Sequence, residues 1–288
     1  MKELFDIVSN KCSKEVTQTY STSFSLATRL LGPSIRQDIY NIYGFVRLAD
    51  EIVDSFHQYD KEVLFNRFDD ELKQALVERI SLNPILNSFQ NTVHKYNINR
   101  DLIQIFMDSM RQDLTKSVYT SVQEFNEYIY GSADVVGLMC LQVFVKGDPH
   151  KYEELREAAM NLGSAFQKVN FLRDMKEDQE FLSRTYFPNV NLDTLDEISK
   201  EKIVLEIEDN FKKAYQGILH LPKEARLGVF VAYKYYRRLL KKLQRTPASE
   251  IKNSRIRVPN IEKIGLLTSS YLKYQLNLVP LAPKGGSE

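Results

Sequence analysis

Apolar residues recur at helical spacing along almost the whole chain, and alternation of period two is hard to find. A chain patterned this way cannot build a sheet, because a strand needs one face apolar and the other polar on alternate residues. Turn residues agree. There are only 11 Gly and 9 Pro in 288 residues, too few for the many reversals of a strand-rich fold. The periodicity predicts helices over residues 34–56, with Ser34 as N-cap after Gly32-Pro33, and over 61–79, 84–97, 100–114, 121–144, 150–181, 195–221 and 223–244. A last helix is expected over 261–276, with 278–288 a frayed tail. No linker rich in Pro, Gly or Ser divides the chain, and no short repeat is present, so one all-α domain over 1–288 is expected.

Hydrophobic residues make up 43% of the chain, enough for a sizeable core. The 39 Lys+Arg balance 38 Asp+Glu, so no global field favours nucleic acid. Cys12 and Cys140 are far apart and form no ligand cluster, which fits a reducing compartment. The first residues hold no apolar run of signal-peptide length, and no segment approaches the roughly 18 apolar residues of a membrane span. A soluble cytoplasmic protein is the expectation.

Two predicted helices carry polar stripes on otherwise apolar cylinders. In the first, Tyr43, Arg47, Asp50 and Asp54 fall at offsets of four, seven and eleven, amid Ile39, Ile42, Phe45, Val46, Ala49, Ile52 and Val53. In the second, Gln167, Asn170, Asp174 and Asp178 fall at offsets of three, seven and eleven, with Arg173 beside them. A lone pair of acids four apart is common on a solvated face, and "EELRE" is of that kind. Two matching stripes, each with an arginine, point instead to an interior site, since carboxylates away from water need a partner or a metal. Two facing Asp-x-x-x-Asp pairs suit Mg²⁺, which takes a few carboxylates and completes its shell with waters and phosphate oxygens. Mg²⁺ and arginine together stabilise a departing diphosphate.

The chain resembles the squalene/phytoene synthase family, the head-to-head prenyl diphosphate synthases, and within it the bacterial phytoene synthases. The resemblance rests on "YSTSFSLATRLLGPSIRQDIYNIYGFVRLADEIVD", on "YIYGSADVVGLM" and on "AFQKVNFLRDMKEDQEFLSRTYFP". It implies an isoprenoid-synthase-like helical bundle with a central cavity. It further implies that Asp50, Asp54, Asp174 and Asp178 bind Mg²⁺, with Mn²⁺ able to substitute. Ser21, Ser23, Arg47 and Arg173 would contact diphosphate, and Arg184 and Tyr186 would close the site. Tyr43, Gln167 and Asn170 would line the reaction centre. Phe24, Tyr130, Ala133, Val136, Gly137 and Leu141 would line a tunnel for the prenyl tails.

Two positions depart from the family pattern. Asp134 stands where glycine is frequent, so its carboxylate is expected either near a diphosphate or turned outward. Gly32 takes the place of a proline-led turn, though Pro33 follows at once. Gly131 and Gly137 each weaken a helix by about 1 kcal/mol, which close approach of a neighbour or ligand would explain.

The reaction implied is condensation of two geranylgeranyl diphosphates, through a cyclopropylcarbinyl diphosphate, to phytoene. The alternatives are a C30 squalene or dehydrosqualene synthase using farnesyl diphosphate, and a non-catalytic assembly protein of the same fold. No GxGxxG fingerprint is present, and NADPH is not expected to be required. The hydrocarbon product implies transient contact with a membrane surface, although no basic amphipathic helix stands out for it. Oligomeric state is not legible.

Overall fold

The computed structural model describes residues 1–188, 190–191, 193–253, 255–259, 262 and 265. The expected helix 261–276, apart from residues 262 and 265, and the 278–288 tail lie outside the described residues. The described chain is helical: α1 (Lys2–Tyr20), α2 (Thr22–Arg29), α3 (Pro33–Asp54), α4 (Lys61–Glu78), α5 (Pro84–Tyr96) and α6 (Arg100–Gln112) form its first half. Then come α7 (Val122–Ile129), a π-helical turn (Tyr130–Asp134), α8 (Val135–Phe144), α9 (Pro149–Leu182), α10 (Glu197–His220), α11 (Lys223–Arg245) and the short α12 (Ala248–Ile251). Among the described residues the only β pairing is an isolated bridge between Val118 and Thr185.

The starts follow from local chemistry. Asp60, Asn83, Asn99, Ser121 and Asp148 each accept a hydrogen bond from a backbone N–H of the first turn, and Asp196 forms a capping box with Ser199. Helix α3 begins one residue earlier than expected. Gly32 is its N-cap and Pro33 occupies the first turn, where the missing N–H costs nothing, so Ser34 lies inside the helix. Three helices, α1, α2 and the short α12, escaped the sequence reading altogether. The face that α1 buries is made of Ser9, Ser13 and Thr17, which carry no hydrophobic signal. Ser13 Oγ meets Ser88 Oγ of α5 at 2.6 Å, and Asn87 Nδ2 donates to Asp6 and Ser9, so α1 docks on α5 by hydrogen bonds.

The core runs from Leu31 to Val258 in one apolar cluster, with Ile35, Phe45, Phe89, Leu138, Val169 and Phe211 almost fully buried. Helix α3 packs against α1, α5 and α8, while α9 packs along α8, α10 and the π-turn. Gly131 shows what such close packing demands. A Cβ there would stand 1.8 Å from Ser109 Oγ of α6, and one on Gly137 would stand 2.9 Å from the Ala159 carbonyl oxygen. A close neighbour accounts for both glycines.

Candidate active site

Helices α3 and α9 bring their polar stripes together at one end of the bundle. Asp54 repels both Asp50 on its own helix and Asp178 on α9, so the two acid pairs share one electrostatic space. Burial and then Asp54 push the Asp50 carboxyl up to about 7. Burial, then Asp174 and Asp54, push Asp178 up to about 8. Four half-buried carboxyl groups thus crowd a space short of positive charge.

Arginines answer part of that deficit. Arg47 donates to Asp50 Oδ2 at 2.5 Å and to Glu51, and its guanidinium lies 4.5 Å from the centre of the Tyr20 ring. Arg173 clasps Asp174 through Nε (2.8 Å) and Nη2. Burial opposes the charge of Arg173, yet Asp174 more than offsets this and the proton is held more tightly than usual. Arg184 is buried, donates to Asp54 Oδ1 at 2.6 Å and to the Asp113 carbonyl at 2.8 Å, and sits 3.4 Å from the Tyr186 hydroxyl. The loop carrying Arg184 is pinned to residues 117–119 by backbone bonds either side of Thr185. Arg184 and Tyr186 therefore stand together at the acid end, Arg184 bonded to Asp54.

Three participants were missed from sequence. Arg255 reaches Asp174 (Nε to Oδ1, 2.8 Å) and Glu177 (2.8 Å) from an irregular segment whose Ile256 and Val258 are buried. Asp113, pushed up to about 7 by burial, accepts a 2.8 Å bond from Tyr128 beneath Arg184. Tyr236 of α11 stacks on Phe166 at 4.0 Å and is hydrogen-bonded with Asn170. Neither Arg255 nor Tyr236 carries a spacing signal, because both depend on where α11 and its continuation return.

Below the acids lies a cavity of about 280 Å³. Of the residues the resemblance assigns to a tunnel, Phe24, Ala133, Val136, Gly137 and Leu141 line it, and Tyr43 and Gln167, assigned to the reaction centre, line it too. Tyr43 stacks on Phe24 at 4.6 Å, and burial raises its hydroxyl to about 12. Ser21 caps α2 through the Phe24 N–H at 3.2 Å and its side chain also bonds with Tyr43; Ser23 sits half-buried in the same first turn. Tyr130 is the correction. In an uninterrupted α-helix it would share the stripe of Ala133, but the π-turn inserts a residue and breaks that register. Tyr130 packs against the core outside the cavity lining.

Asp134 is a second correction. It is neither turned outward nor part of the cavity lining; it is buried and accepts a 2.7 Å bond from Ser164 Oγ of α9, with Lys168 nearby. Ser164 supplies the partner that a carboxylate at a glycine-like position requires.

The donor set fits a divalent cation held jointly with a phosphate-bearing ligand. Among the described residues no three Asp, Glu, His or Cys side chains form a protein-only cage. Arg47 Nε and Asn170 Oδ1 are buried without hydrogen-bond partners, one a donor suited to an anion and one an acceptor suited to a cation or its waters.

Comparison with known proteins points to one family. Residues 17–262 match the model of squalene/phytoene synthase. The chain is 28% identical to phytoene synthase 1 of Solanum lycopersicum over 92% of its own length and 68% of that protein's. Against phytoene synthase 3 of Zea mays it is 27% identical over 90% of its length, spanning 64% of the maize protein. With phytoene synthase of Arthrospira platensis it shares 24% identity, over 90% of this chain and 91% of the other. Its fold superposes on a crystal structure of a dehydrosqualene synthase with TM-score 0.79 at 19% identity, covering 94% and 98% of the two chains. For squalene synthase from Alicyclobacillus acidocaldarius the TM-score is 0.72 at 19% identity, covering 82% and 93%. On the match across residues 17–262, the chain belongs to the squalene/phytoene synthase family.

Proposed function

We propose that this protein catalyses the Mg²⁺-dependent head-to-head condensation of two geranylgeranyl diphosphates to phytoene, without NADPH. One observation carries the reading: two arginine-braced aspartate pairs begin seven residues beyond Tyr43 and Gln167, which line an apolar cavity. Along α9 the lining runs from Gln167 to Leu155, twelve positions, or about 18 Å at 1.5 Å per residue. The opposite wall, from Ser132 to Phe144, has the same count. An extended carbon chain advances about 1.25 Å per bond of roughly 1.5 Å. The sixteen-carbon main chain of a geranylgeranyl group then reaches about 19 Å, and the twelve of farnesyl about 14 Å. The longer tail matches the wall.

Asp50, Asp54, Asp174 and Asp178 would hold Mg²⁺, which supplies Lewis-acid charge to a leaving diphosphate when bound. The chain's own groups do the rest. Arg47, Arg173, Arg184 and Arg255 offer fixed cations to the diphosphate oxygens, and the first turn of α2 offers backbone N–H groups near Tyr43. The rings of Phe24, Tyr43 and Phe166 line the cavity, with Tyr236 stacked on Phe166, and their π faces would favour an allylic cation formed there. The apolar walls keep water from quenching it.

The test is incubation with Mg²⁺ and either farnesyl or geranylgeranyl diphosphate, with and without NADPH, followed by mass spectrometry of the hydrocarbon extract. A C40 product independent of NADPH, absent from Asp50→Ala/Asp174→Ala, supports the proposal. A C30 product moves the assignment to dehydrosqualene or squalene synthesis, and no condensed product overturns it.

A further inference from the structure

Asp50 and Glu51, the carboxylates that pair with Arg47, both lie on its own helix. Arg47 Nη1 donates to Asp50 Oδ2 at 2.5 Å and Nη2 donates to Glu51, each about one turn further along α3. Glu51 belongs to neither aspartate pair, so the guanidinium is divided between the site and a carboxylate outside it. Arg47 Nε is buried without a hydrogen-bond partner. A cation on a long stem, drawn along its own helix, needs a restraint from another element if an incoming anion is to find it in place.

Tyr20 supplies that restraint. Helices α1 and α3 run side by side in the same direction. Asn41 Nδ2 donates to Asn10 Oδ1 at 3.0 Å, a Cβ on Gly44 would stand 2.9 Å from Ser13 Oγ, and the Tyr20 ring centre lies 4.5 Å from the Arg47 guanidinium carbon. Tyr20 is the last residue of α1. Ser21 follows with an extended backbone (φ −143°, ψ 99°), and its N–H donates to the Thr17 carbonyl at 3.1 Å. The same Ser21 caps α2 through the Phe24 N–H and bonds with Tyr43. The backbone beneath Tyr20 is thus fixed by the end of one helix and the start of the next. The ring is 49% exposed, so burial in the core does not account for an aromatic there. The contact it makes is with Arg47, and a guanidinium stacked on a ring keeps its edge free for hydrogen bonds.

We propose that Tyr20 is a positioning residue: its ring holds the Arg47 guanidinium at the acid pairs, edge outward to a diphosphate oxygen, against the pull of Glu51. The unpartnered Nε is a donor that such an oxygen would satisfy. The diphosphate is that of the proposed condensation, so the inference rests on that reading.

Binding of inorganic diphosphate to the full chain at saturating Mg²⁺ would be followed by isothermal titration calorimetry. Tyr20→Leu, which keeps bulk but loses the π face, should bind about fivefold more weakly. Tyr20→Phe, which keeps the ring, should restore the affinity. Glu51→Gln should strengthen binding more in Tyr20→Leu than in wild type, because the carboxylate there competes unopposed. With Arg47→Gln in place, Tyr20→Leu should cost nothing further. Wild-type affinity in Tyr20→Leu, an equal loss in Tyr20→Phe, the same gain from Glu51→Gln in both backgrounds, or a loss as large with Arg47→Gln as with Arg47 would overturn the proposal. A variant that merely folds poorly loses affinity whichever residue stands at position 47, so that pairing separates positioning from misfolding. Wild type that binds no diphosphate overturns this inference and the condensation together, whereas binding that Tyr20→Leu leaves intact overturns this inference alone. Diphosphate binding that depends on Tyr20 through Arg47, in a chain that makes no condensed product, supports the positioning role and sinks the condensation.

Discussion

Replacing Asp134 by Asn tests whether a carboxylate has been built into the wall between the π-turn and α9 at a cost to stability. Burial is the main reason its carboxyl rises from 3.8 to about 7, only partly offset by the Ser164 hydroxyl and by Lys168. Three units correspond to roughly 4 kcal/mol at 1.36 kcal/mol per unit. The folded-state value is the raised one, so the contribution of Asp134 to stability is fully present below pH 3.8 and is lost as pH rises through about 7. At pH 5 the folded protein still keeps the proton, whereas at pH 8 the charge is forced into the wall. Asn retains a carbonyl oxygen for the Ser164 hydroxyl and cannot ionise. The gain in stability of Asp134→Asn over wild type should therefore be larger at pH 8 than at pH 5 by roughly 2–3 kcal/mol. Urea unfolding followed by far-UV circular dichroism at both pH values, at constant ionic strength, reads the difference directly. A gain that is the same at pH 5 and pH 8, or one that shrinks toward pH 8, refutes the reasoning.

Other perturbations address the cavity, the acids and the packing. Ala159→Phe places a ring eight positions from Gln167, about 12 Å along α9, so geranylgeranyl turnover should fall at least 100-fold while farnesyl turnover falls far less; equal losses in competing-substrate assays would place the tail elsewhere. With saturating Mg²⁺ and inorganic diphosphate the wild-type melting temperature should rise by several degrees, and Asp50→Asn/Asp174→Asn should abolish the rise in differential scanning fluorimetry. Gly131→Ala should cost roughly 1–3 kcal/mol in chemical denaturation, because its Cβ meets Ser109 Oγ at 1.8 Å; an unchanged midpoint would mean that α6 gives way freely.

The acid site was legible because its residues contradict their surroundings. Asp50 and Asp54 ride on a helix whose Ile42, Phe45, Ala49, Ile52 and Val53 are buried, and a polar stripe on such a cylinder has few explanations. The eight helix positions read between residues 34 and 244 rested on the same apolar periodicity, and these recur within a few residues, with α7, the π-turn and α8 filling one of them. Helix α1 gave no such contrast, because it buries serines and a threonine. Tyr130 failed for a geometric reason: the tunnel role that the resemblance implies for it needs a register with Ala133 that a turn with hydrogen bonds five residues apart does not keep. The left-handed Ser183 that ends α9 and the bonds from Thr185 to Ser117 and Tyr119 then place Arg184, none of which a helical pattern encodes.

Arg255 shows where that limit bears on chemistry. In sequence it is one of many exposed-looking cations between residues 234 and 257, and nothing distinguishes it from Lys241 or Arg245. Its distinction is supplied by two apolar neighbours. Ile256 and Val258 are 6% and 3% exposed, so they fix an irregular segment against the core, and the side chain between the anchors and Asn253 is delivered to Asp174. Lys176 and Lys242 hold the same segment through the Asn253 and Arg257 carbonyls. The acid pairs on α3 and α9 are thus encoded locally, by spacing on single helices. Much of the positive charge that makes them tolerable is encoded at long range, by whichever loops the core can anchor above them. Two helices of this kind in another chain would reveal the carboxylates with equal ease, and would still not reveal which arginines had been brought to meet them.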